Sequence, residues 1–137
     1  MIQANELRCG NYAMANNTKY RPDDVGKTVF IVGVDSLRNF KDHQSTANIY
    51  LLDDVFKDTY GTWLVYLEPI PITEEWLLKC GFKPCNMNYR FILGIFTYNV
   101  GSGWFFGNKK IRKQIHVHQF QNTYFSLTGE ELTISVT

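Results

Sequence analysis

The last quarter of the chain, Ile115 to Thr137 (IHVHQFQNTYFSLTGEELTISVT), constrains the fold most. It calls for a strand, a helix, a helix stop and a second strand within 23 residues. From Ile111 to Val117, the odd positions Ile111, Lys113, Ile115 and Val117 alternate with Arg112, Gln114, His116 and His118, a period of two that predicts a half-buried strand. From Val117 the apolar spacing becomes Val117, Phe120, Tyr124 and Leu127, steps of three or four that fall on one helical stripe. Gly129 follows the stripe where a left-handed residue ends a helix at least cost, so the helix should stop near Thr128. Ile134 and Val136, alternating with Thr133, Ser135 and Thr137, predict a closing strand at a sheet edge. Phe120, Tyr124 and Leu127 are then expected to be buried against a C-terminal sheet.

With 137 residues, 45% hydrophobic, 20% charged and 15% aromatic, the composition is that of one folded domain and excludes disorder of the whole chain. At this length folding buries about two-thirds of the unfolded surface, enough for a core without staples. No run approaches the ~20 apolar residues that cross a bilayer, and the N-terminus lacks a signal-like apolar core. The expectation is a soluble, cytoplasmic protein without a membrane partner. Cys9, Cys80 and Cys85 are odd in number and lack the paired spacing of a zinc site, so they read as three reduced thiols. Residues 1–68 carry seven basic and nine acidic side chains, net −2; residues 69–137 carry seven and four, net +3. That asymmetry is too mild to imply nucleic acid by charge alone.

Along the chain, Asn5 to Tyr12 (NELRCGNY) leads through a Gly-Asn turn into a small apolar run ending at Met14, without the pattern of a long strand. Asn16 to Gly26 is a polar loop, and Lys27 to Val34 (KTVFIVGV) is the first strong strand, apolar on both faces. Ser36 to Ala47 reads as a second polar loop; Asn48 to Leu52 and Thr62 to Leu67 read as short strands around the acidic turn 53–61. Short strands separated by polar loops suggest a small curled sheet or SH3-like barrel. In EPIPITEEWLLKCGF, Pro69 and Pro71 end the strand, Thr73 is an N-cap, Glu74 and Glu75 suit the first turn of a short helix, and Gly81 ends it. Tyr89 to Tyr98, Trp104 to Phe106 and the strand at Ile111 then form a three-stranded antiparallel meander. The whole is an α+β single domain over 1–137, with an SH3-like β-rich part (1–68) and an α+β part (69–137).

The segments ELRCGNY, EPIPITEEWLLKCGF and VHQFQNTYFSLTGEEL resemble a family of short uncharacterised proteins of gut anaerobic bacteria and their phages or mobile elements. That family's pattern is similar to ELR-x-GN, PIPLTEEWL-x-K-x-GF and VHQLQNLYFALTGEEL. Ile72, Phe120, Thr123 and Ser126 stand where the pattern has Leu, Leu, Leu and Ala. The resemblance implies an accessory protein of such an element and carries over no activity or site residue.

His116 and His118, as an i, i+2 pair on a strand, would project both imidazoles to one side, the geometry of two metal ligands. A third ligand is missing from the sequence nearby, since His43 lies in a distant loop; solvent-facing strand histidines are the simpler reading. Lys109, Lys110, Arg112 and Lys113 beside Trp104, Phe105 and Phe106 give the basic–aromatic mix of single-strand binding surfaces. The same residues also suit a solvated basic turn with its aromatics in the core. Asp53, Asp54 and Asp58 lack calcium-loop spacing and read as a solvated turn. No P-loop, dinucleotide fingerprint, nucleophile elbow or H-E-x-x-H occurs, and Cys80 or Cys85 with His116 is a pairing any such chain permits.

The function expected from sequence is a non-enzymatic protein–protein interaction module without a cofactor. One alternative is a nucleic-acid-binding module using the 104–113 hairpin, and another is an enzyme of unrecognised type.

Overall fold

The computed structural model describes residues 2, 6–36, 45–85, 89–112 and 115–135. The protein is α+β, with two curled, half-barrel antiparallel sheets and two helices. By internal contacts the chain divides into two compact units: Met1–Ile70 with Val117–Asn122, and Pro71–His116 with Thr123–Thr137.

The first unit holds β1 (Tyr12–Ala15), β2 (Thr28–Ser36), β3 (Ser45–Leu51), β4 (Tyr60–Trp63) and β5 (Leu67–Glu68), in the order β4-β3-β2-β1-β5. The chain returns so that its last strand pairs with its first, while β4 is left as an edge. Ala13, Ala15, Val29, Ile31, Ala47, Ile49, Leu64 and Leu67 form the core of this unit with Ile2 and Leu7. The apolar run of β2 is explained by a register shift between Ile31 and Gly33. Before the shift Val29 and Ile31 face the core; after it Val34 does, although it has the opposite parity. Of the loop expected over 36–47, Ser36 and residues 45–47 are paired strand, and residues 37–44 lie outside the described residues.

Two expectations are corrected here. Residues 12–15 form a strand, and one paired on both sides. Its core-facing residues are Ala13 and Ala15, poor strand formers by propensity but small enough for a tightly curled sheet. The run read as a strand over 62–67 is divided, since Leu64–Tyr66 is a 3-10 turn between β4 and β5.

In the second unit α1 (Glu74–Lys79) begins as its sequence demands, with the Thr73 hydroxyl accepting from Trp76 N–H at 3.4 Å and both glutamates in the first turn. Leu77 and Cys80 are its buried side. Then β6 (Lys83–Cys85), β7 (Arg90–Leu93), β8 (Phe96–Asn99), β9 (Gly103–Phe106) and β10 (Lys109–Arg112) follow as a meander in chain order. The meander has five strands where three were expected, because the run Tyr89–Tyr98 folds back on itself into two and Lys83–Cys85 adds a further strand beside β7. Leu93 pairs with Phe96, leaving Gly94 and Ile95 as a two-residue turn, and Gly94 takes φ +57, the demand of a II′ turn at its first central position. Directly opposed pairs Phe91–Tyr98, Tyr98–Trp104 and Phe96–Phe106 place the large rings on one face. Phe82 meets Trp104 edge-on at 5.7 Å on that face.

Helix α2 (Val117–Thr128) has the bounds the sequence gives it, with Gly129 at φ +75 donating its N–H to Phe125 O. The face it buries differs from the apolar stripe: Val117, His118, Phe120 and Gln121 are buried, Tyr124 is half-buried on Phe96 at 5.4 Å, and Leu127 is 46% exposed. Leu127 therefore corrects the expectation that all three stripe residues are buried. The closing strand is also absent from residues 131–135, which are irregular, with Ser135 N–H bonded to Lys79 O; Val136 lies outside the described residues.

The polar part of the buried helix face explains this. Within the first unit the side chain of Gln121, 2% exposed, accepts from Tyr12 N–H at 2.9 Å and donates to Gly10 O at 2.8 Å. Asn11, 0% exposed, donates to Asn122 Oδ1 at 2.9 Å and accepts from Arg8 N–H at 2.8 Å, and Asn122 donates to Glu6 O. The segment before β1 is thus read by two adjacent helical amides. Replacing Gln121 by Leu removes the side-chain amide that serves the part-buried Tyr12 N–H and Gly10 C=O. Q121L is expected to lower the free energy of urea unfolding by about 2 to 4 kcal/mol, whereas the exposed S126A changes it by less than about 0.5 kcal/mol.

Candidate binding groove

The residues singled out by sequence do not assemble into a site. His118 is buried in the first turn of α2, and His116 makes an isolated bridge to Pro71, so they are not neighbours on one strand face. The described strand β10 ends at Arg112, residues 113–114 lie outside the described residues, and His118 belongs to the helix that begins at Val117. Trp104 is 1% exposed, packed by Phe82 and Tyr98, and Phe106 is half-buried against Phe96. The buried indole offers no face for a stacked base. Lys109 and Lys110 are exposed, the Arg112 backbone ends β10, and Lys113 and His43 lie outside the described residues. Among the described residues no three His, Cys, Asp or Glu gather as a metal-binding group.

The acidic turn organises itself. Asp54 accepts from Phe56 N–H at 3.0 Å and Asp58 N–H at 3.1 Å, while Asp53 pairs with Lys27 at 3.2 Å. The cysteine–histidine pairing also dissolves. Cys85 lines a shallow hollow of about 360 Å³ with Lys83, Ile92 and Leu93, whereas His116 lines a separate one of about 70 Å³ with Tyr98 and Trp104. Cys80 is buried, and burial pushes its thiol up to about 12, leaving it protonated and a poor nucleophile at neutral pH.

The surface with convergent chemistry is on the first unit. Tyr60, Gly61, Thr62 and Trp63, the whole of β4, form one wall of a groove of about 270 Å³; Asn17, Tyr20, Arg21 and Tyr66 form the rest. Consecutive residues of β4 point to alternate faces, so a groove touching all four runs along the strand's edge. The opposite wall is the β1–β2 loop, which is folded locally. Asn17 Oδ1 accepts from Tyr20 N–H at 2.9 Å, Arg21 N–H bonds Asn17 O, and Pro22–Asp24 is a 3-10 turn. Asn16 N–H bonds Tyr66 O at 2.8 Å, which fixes the loop's start against the 3-10 turn that carries Tyr66.

Four rings and one cation define its character. Tyr20, 66% exposed, meets Tyr66 edge-to-face at 6.4 Å. The Arg21 guanidinium lies 3.5 Å from the Tyr60 ring centroid and bonds Asp24 at 3.3 Å; Lys19 lies 5.0 Å from the Tyr20 centroid. Among the described residues no carboxylate lines the groove, the nearest described one being that of Asp24, bonded to Arg21. Sequence reading passed over it, although one signal was present: aromatics recur at every third position, Tyr60, Trp63 and Tyr66, across a strand end and a 3-10 turn. Tyr20 between two cations, in a loop read only for its polarity, was the second.

No family model, curated protein or solved structure matches the chain.

The state of Cys80 is directly testable. Its proton is held more tightly in the folded chain than at the ordinary value of 9.0, so between about 9 and 12 unfolding releases a proton and stability falls as pH rises. C80A should remove that part of the pH slope in urea titrations. At pH 8 a thiol reagent should label exposed Cys9 in the native protein and Cys80 only after denaturation.

Proposed function

We propose that the chain is a non-enzymatic accessory protein, in the phage or mobile-element setting its sequence resemblance implies, and that it works by binding another protein through the Tyr20–Tyr60–Trp63–Tyr66 groove. The observation that carries this reading is that Trp63 on the β4 edge and Tyr20 across the groove are exposed, with half-buried Tyr60 and Tyr66 between them. Tyrosine, tryptophan and arginine dominate binding hot spots, because they supply large contact area with hydrogen-bonding tips at small conformational cost. The fold is compatible with such a role. Strand order β4-β3-β2-β1-β5 with a 3-10 turn before the returning strand is compatible with the SH3-like barrel read from the sequence, a scaffold that hosts many unrelated sites, so the groove's residues and not the scaffold support the assignment. The basic hairpin is the weaker surface, since Trp104 is in the core.

The reading is tested by affinity capture from the native host with the full chain and with a Trp63→Ala/Tyr66→Ala variant, folding being checked by circular dichroism. A protein partner recovered by the parent and reduced at least about tenfold with the variant is expected. A partner retained equally by both, or recovery abolished by nuclease, would contradict it.

A further inference from the structure

We infer that the groove takes a proline-rich segment in polyproline II conformation with an acidic residue at its Arg21 end, an assignment that rests on the binding role proposed above. The hydrogen-bonding character of the lining selects this occupant. Tyr20, Tyr60 and Tyr66 bring hydroxyls, Trp63 an indole N–H, and Arg21 its guanidinium. Asn17 has its side-chain oxygen engaged by Tyr20 N–H, which leaves its amide nitrogen as the group it offers. With no carboxylate among the described lining residues, the side chains of the groove are rich in donors and poor in charged acceptors.

A peptide strand brings equal numbers of N–H and C=O groups. A proline run brings carbonyls without N–H, on a backbone that makes no internal hydrogen bonds and is already extended, so its acceptors are open and little conformational entropy is lost on docking. Proline rings are flat and apolar and pack against aromatic walls. Strand addition to β4 fits less well, because the edge is four residues long and turns at once into the 3-10 segment. Single-stranded nucleic acid fits less well too: one face of Tyr60 is covered by Arg21, and Tyr20 and Tyr66 meet edge-to-face rather than as parallel platforms.

Charge fixes the ligand's sign. Arg21 is the one ionised side chain of the lining, 43% exposed, and Asp24 engages it through a single nitrogen. Lys19, over Tyr20, adds a second positive charge on the same loop. A carboxylate in the ligand meets the Arg21 nitrogens that Asp24 does not engage, and a basic ligand meets repulsion there.

Fluorescence anisotropy with the intact protein tests this, using short labelled proline peptides flanked by glutamates or by lysines, and a labelled oligothymidylate. The glutamate-flanked peptide is expected to bind about tenfold more tightly than the lysine-flanked one, and Arg21→Gln to reduce that preference to about twofold or less. Trp63→Ala should weaken the glutamate-flanked peptide by about tenfold or more; Tyr66→Phe, which keeps the ring and the packing, should weaken it a few-fold. Equal or tighter binding of the lysine-flanked peptide, binding unchanged in Trp63→Ala, or preference for oligothymidylate would overturn the assignment. If no proline peptide binds while the captured partner is still lost with the Trp63→Ala/Tyr66→Ala variant, the ligand class alone is overturned. If neither experiment depends on the groove, the binding role falls with it.

Discussion

Two consecutive amide side chains, Gln121 and Asn122, hold the segment from Glu6 to Tyr12 in place. Burying an amide without partners costs a few kcal/mol, so such groups persist in a core when every donor and acceptor is used. Here they are: Gln121 spans Tyr12 N–H and Gly10 O, Asn122 spans the Asn11 amide and Glu6 O, and Asn11 closes on Arg8 N–H. The backbone continues the arrangement into the sheet, with Gly10 N–H bonded to Ile31 O and Ile31 N–H bonded to Asn11 O. Residues over a hundred positions apart in the chain therefore set where β1 starts. Because β1 is paired on both sides, they also set the register of the strands around it.

The groove follows from that sheet. A curled sheet in the order β4-β3-β2-β1-β5 leaves an edge at each end, and the groove lies along the β4 edge. The β1–β2 loop that faces it is rigidified by the Asn17 turn and by the bond from Asn16 to Tyr66. The aromatic excess of the composition is thereby divided between two tasks. In the second unit Phe82, Phe91, Phe96 and Trp104 are buried and substitute for a larger aliphatic core. In the first unit Tyr20, Trp63 and their neighbours stay at the surface, where burial of a ring awaits a partner.

Periodicity made the helices legible. The cap at Thr73, the stop at Gly81, and both ends of α2 follow from local chemistry that tertiary contacts do not override. Strands that depend on neighbours were less legible: β1 is Tyr-Ala-Met-Ala, whose strand character comes from being paired on two sides, and the run around Gly94 conceals a hairpin because both arms are apolar. The amide network was illegible for a different reason. Hydropathy sorts Gln121 and Asn122 to the solvent face, and the apolar stripe led to Leu127, which is exposed; only the backbone groups of residues 6–12 turn those amides inward. Trp104 and the neighbouring lysines follow the simpler of the two sequence readings, a solvated basic turn with the indole in the core. The groove combines a loop, an edge strand and a 3-10 turn, and no single spacing rule covers all three.

The dependence of the sheet on the helical amides is measured most directly by native-state hydrogen exchange at Tyr12. Its N–H, bonded to a side chain and not to a strand, should exchange only with global unfolding, at the same opening free energy as the core amide of Ile31, and both should lose protection together in Q121L. An N–H at Tyr12 that exchanges near the random-coil rate while Ile31 stays protected would contradict the account, because the sheet would then hold without the network.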